Sequence, residues 1–104
     1  MLKLTPNPTF AATVEIHVPG SGKVKVPFVF AYKDKDEYKV FTDEAAQGKK
    51  EELAVLLEIV KGWENCDVPY SPEALGTLLK KYHGSGSAIF AAYVNELTGA
   101  RLGN

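Results

Sequence analysis

The chain has 104 residues, of which 45% are hydrophobic and 24% are charged, and this balance is typical of a globular protein. Its 12 basic and 13 acidic side chains give a formal net charge of −1, without the excess of positive charge that binds a nucleic-acid backbone. One cysteine cannot form an internal disulfide, which fits a reducing cytoplasm. The sequence has no signal peptide core and no apolar run of the about 18 residues that span a membrane. Nucleic acid and membrane are therefore not expected among its partners.

The N-terminal part of the chain is predicted to form an extended arm and a β-hairpin. Two prolines within residues 1–8 indicate the arm, and a clean alternation of side chains over 9–32 predicts two strands. One face of this hairpin collects the even-numbered residues Phe10, Ala12, Val14, Ile16, Val18, Val24, Val26, Phe28, Phe30 and Tyr32. Directly opposed residues share a face, so a loop over 19–23 places Val18 opposite Val24.

Proline in the second predicted strand constrains how the hairpin can extend. Pro27 has no N–H, so it must lie where this donor would point away from the partner strand. The outer edge of the second strand is then expected to resist further pairing. The edge of the first strand, around Val14 and Ile16, is expected to stay open, and another chain could add a strand there.

The rest of the chain predicts a layer of about four short helices. They are expected over 34–48, 51–61, 72–82 and 86–98. Asp34 and Glu37 have the spacing of a capping box, Ser71 is a favoured N-cap residue, and Gly99 ends the last helix. A lone hairpin is marginal in water, so its apolar face must pack on these helices. The predicted fold class is therefore α+β, with an N-terminal antiparallel hairpin packed on a helical bundle. The single predicted domain comprises an arm (1–8), a hairpin (9–32), a helical layer (33–98) and a tail (99–104).

The stretch from Gly62 to Leu75 contains the only tryptophan and links two predicted helices. Gly62 is expected to end the second helix in the left-handed conformation, and Trp63 then folds back over that helix. Two interpretations of the aromatic residues remain open. Trp63 either closes the core or forms, with Pro69 and Tyr70, an exposed aromatic patch for a partner.

Residues capable of catalysis or metal binding are few. Cys66 could act as a nucleophile with His83 or His17 as its base, but the sequence has no recognisable nucleophile motif. The same residues with Asp67 lack the paired ligands at short spacing that a metal site needs. Residues 83–88 lack the Gly-Lys-Ser/Thr end of a phosphate-binding loop and follow a helix instead of a strand. No catalytic residue, cofactor or metal site is therefore predicted.

Three blocks of the sequence resemble one protein family. The first block has the pattern F-x-A-x-V-x-I-x-V-P-G and is formed by Phe10, Ala12, Val14, Ile16, Val18, Pro19 and Gly20. The second consists of Val60, Gly62, Trp63, Asp67, Pro69, Tyr70, Ser71, Glu73, Ala74 and Leu75. The third consists of Ala88, Ile89, Phe90, Ala92, Tyr93, Leu97, Thr98, Gly99, Ala100 and Arg101. In their order and spacing these blocks resemble the small tail assembly chaperones of long-tailed bacteriophages.

The resemblance implies a non-enzymatic chaperone without a cofactor. Such a protein binds the long, helix-rich tape measure protein during tail assembly and keeps it soluble until tail tube subunits replace it. The resemblance also implies contacts with the major tail tube protein, with a frameshifted longer form of the chain, and with further copies of itself. The expected location is the bacterial host cytoplasm, with the chaperone absent from the mature virion.

Two alternatives to this function come from other classes. The first is a structural tail or adaptor component that stays in the virion. The second is a small enzyme or ligand-binding domain built around Cys66 and His83. An enclosed pocket with these two residues close together would favour the second alternative.

Overall fold

The N-terminal hairpin forms as predicted, and a third strand extends it. The computed structural model describes residues 1–100, so the matched Arg101 and most of the predicted tail lie outside the described residues. The strands β1 (Thr9–Val18), β2 (Gly22–Ala31) and β3 (Val60–Trp63) form an antiparallel sheet in the order β1-β2-β3. The helices are α1 (Lys35–Ala46), α2 (Glu52–Leu57), α3 (Pro72–Lys81) and α4 (Ser85–Thr98). The α+β fold class is confirmed.

The core lies between one face of the sheet and the helices. Its buried apolar residues are Val14, Ile16, Phe28, Phe30, Phe41, Leu56, Ile59, Val60, Leu75, Ile89, Tyr93 and Val94. The hairpin residues among them are all even-numbered, as the alternation predicted. Each such side chain contributes roughly 1.5–3 kcal/mol by leaving water. The helix α4 lies against β1, so the first strand and the last described helix share this core.

The turn of the hairpin is tighter than predicted. Val18 lies opposite Gly22 instead of Val24, so the prediction of a loop over 19–23 is wrong by two residues in register. Gly20 and Gly22 have φ values of +81° and +82°, which lets the chain reverse within a shorter turn. Because the error is an even number of residues, every side chain stays on its predicted face.

The prediction of the second helix is wrong for its last turns. It ends at Leu57, and the chain then enters β3, which pairs with the very edge of β2 that Pro27 was expected to blunt. Gly62 does not adopt the expected left-handed conformation; it lies within β3 opposite Val29. Trp63 is consequently a strand residue and does not fold back from a helix end.

Backbone hydrogen bonding explains why Pro27 permits a third strand. On β2 the N–H and C=O groups of the odd-numbered residues point away from β1. The N–H of Ala31 donates to the C=O of Ile59 at 2.8 Å, and the C=O of Pro27 accepts from the N–H of Glu64 at 2.9 Å. The missing donor of Pro27 does point away from β1, as predicted. It removes one possible hydrogen bond to β3 and leaves the carbonyl in use.

Three helix ends follow the capping signals of the sequence. The Oδ1 of Asp34 accepts from the N–H of Glu37 at 2.8 Å, and Glu37 Oε1 accepts from the N–H of Asp34 at 2.9 Å, so the predicted capping box is confirmed. Ser71 Oγ accepts from the N–H of Ala74 at 3.0 Å. Gly99 ends α4 with a φ of +73°.

Candidate interaction surfaces

The residues considered for catalysis lie at the protein surface. Cys66 is exposed, and its Sγ lies 3.8 Å from Asp67 Oδ1, a contact that supplies no imidazole base to the thiol. His83 is exposed after α3, and His17 is exposed on the outer face of β1 opposite Lys23. Within residues 1–100, no group of three or more His, Cys, Asp or Glu side chains is placed to hold a metal ion.

The aromatic residues around β3 form one packed cluster. The ring of Trp63 makes edge contacts with Phe28 and Tyr70, at centroid distances of 5.7 and 5.1 Å. Trp63 Nε1 donates to the C=O of Val68 at 2.9 Å, and the Tyr70 hydroxyl donates to the C=O of Val60 at 3.0 Å. Burial raises the pKa of Tyr70. Both rings are half-buried, so they join the edge of the core while part of each faces solvent.

Beside this cluster lies a surface depression that we call the loop groove, with a volume of about 350 Å³. It is lined by Trp63, Cys66, Asp67, Val68, Ala74, Thr77, Leu78, Lys81 and Tyr82. Val68 is 48% exposed, and the neighbouring Pro69 is exposed. The loop groove thus combines an apolar lining with one acidic and one basic side chain.

The second surface is the free edge of β1. The N–H of Tyr32 donates to the C=O of Pro8 at 2.9 Å, so the even-numbered pairs of the hairpin are the hydrogen-bonded ones. The N–H and C=O groups of the odd-numbered residues of β1 therefore point to its free edge. These residues are Thr9, Ala11, Thr13, Glu15 and His17.

The residues predicted to bind a partner at this edge do not direct their backbone groups or their side chains toward it. The side chains of Val14 and Ile16 are 0% and 3% exposed, and their backbone groups point toward β2. The groups that β1 presents to a partner belong instead to residues such as Thr13 and Glu15. These positions were not among those predicted from the sequence, although the alternating direction of backbone groups along a strand is a signal that identifies them.

Next to the free edge, α4 and β1 enclose a depression of about 500 Å³, which we call the edge groove. It is lined by Ala12, Thr13, Glu15, Ala88, Ala91, Ala92, Asn95 and Glu96. Both faces of β1 contribute to it, because Ala12 is even-numbered and Glu15 is odd-numbered, so it follows the edge of the strand. Its small apolar side chains leave room for larger ones, and Glu15 and Glu96 make it acidic.

A family model described as phage tail assembly chaperone matches residues 1–104. The chain belongs to this family. No curated protein and no solved structure matches the chaperone. In the part of the chaperone that the structure describes, no helix is long and apolar enough to cross a membrane.

The two surfaces of the chaperone suit different kinds of partner segment. The free edge of β1 offers a row of backbone donors and acceptors, which an extended strand can match. The loop groove has several apolar side chains in its lining, and these suit apolar side chains projecting from a partner helix.

Proposed function

We propose that this protein is a non-enzymatic chaperone that binds the tape measure protein of its phage in the host cytoplasm. It keeps that protein soluble while the tail is built. The match of the phage tail assembly chaperone family to residues 1–104 carries the proposal. The resemblance of the sequence blocks to the tail chaperones of long-tailed phages supplies the identity of the partner.

The tape measure protein is proposed to dock in the loop groove. A long helical chain with apolar stripes aggregates unless those stripes are covered, and amphipathic helices commonly bind in apolar grooves. Trp63 and Tyr70 are held by hydrogen bonds from their own polar atoms, so they lose little freedom when a partner covers them. The exposed Val68 and Pro69 extend the apolar lining outward. Of the residues predicted to bind a partner, Trp63 lines the loop groove, and Pro69 and Tyr70 lie beside it in the chain or against the Trp63 ring.

Release of the tape measure protein is part of the same proposal. Subunits of the major tail tube protein replace the chaperone on the tape measure protein, and a frameshifted longer form of the chain would carry the same two grooves. Binding through a small groove that lies at the protein surface is suited to such exchange. Mass spectrometry of purified virions tests this step, since an adaptor retained in the tail would be present in stoichiometric amounts.

Co-expression with the tape measure protein of the same phage tests the binding itself. The wild-type chain is expected to raise the soluble yield of the tape measure protein and to co-purify with it. Val68→Asp places a charge on the loop groove and should reduce co-purification at least about tenfold. Val40→Asp is the matched control, because Val40 is 58% exposed on α1, away from both grooves. A wild-type chain that neither solubilises nor retains the tape measure protein refutes the proposal.

A further inference from the structure

The N-terminal arm carries apolar side chains that no other residue within 1–100 covers. Leu2 and Leu4 are 87% and 94% exposed, whereas the most exposed large apolar residue outside the arm, among those described, is Val40 at 58%. Lys3 lies between the two leucines and donates to Asn7 Oδ1 at 3.0 Å in an exposed contact within the arm. A segment that alternates leucine with a charged residue has the pattern of a strand with one buried face.

We propose that the arm of one copy of this protein adds as a strand to the free edge of β1 in a second copy and fills its edge groove. An open strand edge is matched by an extended segment, because its backbone groups recur at the spacing of a strand. The arm contains no helix but bends at Leu4, Thr5 and Pro8, so it has to straighten in order to pair as a strand. The inference goes beyond tape measure binding and does not depend on it.

The side chains of the arm match the two sides of the edge groove. Antiparallel pairing with Lys3 opposite Glu15 puts an ammonium group beside a carboxylate on the outer face of the sheet. The same register turns Leu2 and Leu4 to the inner face, where the small side chains of α4 leave room for them.

The prolines of the arm agree with the same register. In this pairing the odd-numbered arm residues direct their N–H and C=O groups toward β1, as the odd-numbered residues of β1 do toward the arm. Pro6 and Pro8 are even-numbered, so the N–H groups that they lack would point to solvent. Neither proline therefore removes a hydrogen bond from the new pairing.

The arm cannot make this pairing with its own β1. Placing Lys3 opposite Glu15 within one chain would centre a turn on Thr9, and the start of β1 would have to leave the sheet. Thr9 and Phe10 are paired there with Ala31 and Phe30. Between two copies no such loss occurs, and reciprocal exchange of both arms gives a closed two-fold dimer.

The oligomeric state of the purified full chain, without any tape measure protein, tests this dimer. Sedimentation velocity over a range of micromolar concentrations should show a dimer for the wild type. Leu2→Lys combined with Leu4→Lys should weaken the dimer at least about 100-fold, because two buried leucines are replaced by charges. Val40→Lys, on an exposed site of α1, should leave the dimer unchanged. A wild type that stays monomeric, or a dimer that persists in the double arm variant, refutes the proposal.

Cross-linking tests the register in a Cys66→Ser background, which removes the exposed native thiol. A chain with Lys3→Cys, mixed with a size-tagged chain carrying Glu15→Cys, should form a disulfide between the two chains on oxidation. The control replaces Glu15→Cys by Lys25→Cys, because Lys25 lies opposite Glu15 on the same face but away from the free edge. At least about tenfold more cross-linked product is expected for the first pair. Equal yields for both pairs would exclude the proposed register. Loss of self-association leaves tape measure binding intact, so the two proposals fail separately.

Discussion

Tyr93→Phe removes a hydroxyl that completes the hydrogen bonding of the sheet. Tyr93 is 0% exposed, and its hydroxyl donates to the C=O of Ala31 at 3.0 Å. The N–H of Ile59, whose C=O accepts from the N–H of Ala31, is already bonded to the C=O of Leu56. A carbonyl that loses its partner away from water costs about 1–3 kcal/mol. Ala31 is half-buried, so we expect a loss of about 1–2 kcal/mol in the free energy of unfolding.

Denaturant titration at neutral pH measures this loss, with an unchanged m-value. In a thermal scan each kcal/mol corresponds to about 4–8 °C in a domain of this size. Tyr32→Phe is the control, because Tyr32 is 36% exposed and the same change should have little effect there. If Tyr93→Phe and Tyr32→Phe unfold at the same denaturant concentration as the wild type, the Tyr93 hydroxyl does not support the sheet.

The pH dependence of the same variant gives an independent check. Burial, with smaller effects of Tyr38 and Glu37, raises the pKa of Tyr93 well above its ordinary value of 10.0. The folded protein therefore keeps this proton at a pH where the unfolded chain has lost it. The resulting stabilisation is complete below pH 10 and declines as the pH rises further. The difference in the free energy of unfolding between the wild type and Tyr93→Phe should therefore become smaller above pH 10. A difference that stays constant as the pH rises would contradict this.

The remaining predictions concern β3 and the helix ends, and all are measured by denaturant titration. Gly62→Ala should be neutral or stabilising by up to about 1 kcal/mol, because the added Cβ lies 3.8 Å from Val29 Cβ. Gly99→Ala, at a φ of +73°, should cost about 1 kcal/mol. A larger loss of stability for Gly62→Ala than for Gly99→Ala would mean that Gly62 ends a helix. Asp34→Ala should cost about 1 kcal/mol and Asp34→Asn much less; equal losses would rule out the capping role. Trp63→Ala should cost about 2 kcal/mol, less than for a fully buried ring, and unchanged stability would place Trp63 outside the core.

The local signals in the sequence predicted the hairpin faces and the helix ends at Asp34, Ser71 and Gly99, but β3 could not be predicted from them. Val60 follows Leu53, Leu56 and Leu57 at helical spacing, so the pattern favours one continuous helix. The strand forms because β2 presents unpaired backbone groups at its outer edge, and pairing with them outweighs the local preference. This pairing joins segments that are far apart in the chain, so the periodicity of one segment cannot predict it.

The residues of β1 that direct their backbone groups to its free edge can also be deduced from the sequence. Pro27 must direct its missing donor away from β1, and opposed residues have the same parity in either register. It follows that the odd-numbered residues of β1, such as Glu15, present their backbone groups at the free edge. No sequence pattern indicates that the alanines of α4 line the edge groove. Only the packing of α4 against β1 shows that they line the groove.

Contact between β1 and α4 joins the first strand of the chain to its last helix. During synthesis the hairpin leaves the ribosome early, and its phenylalanines, Phe28 and Phe30, then have no helix to cover them. A hairpin in this state is only marginally ordered and is prone to aggregate. A nascent chain interrupted before α4 would thus become a client for other chaperones, although the finished protein serves as one itself.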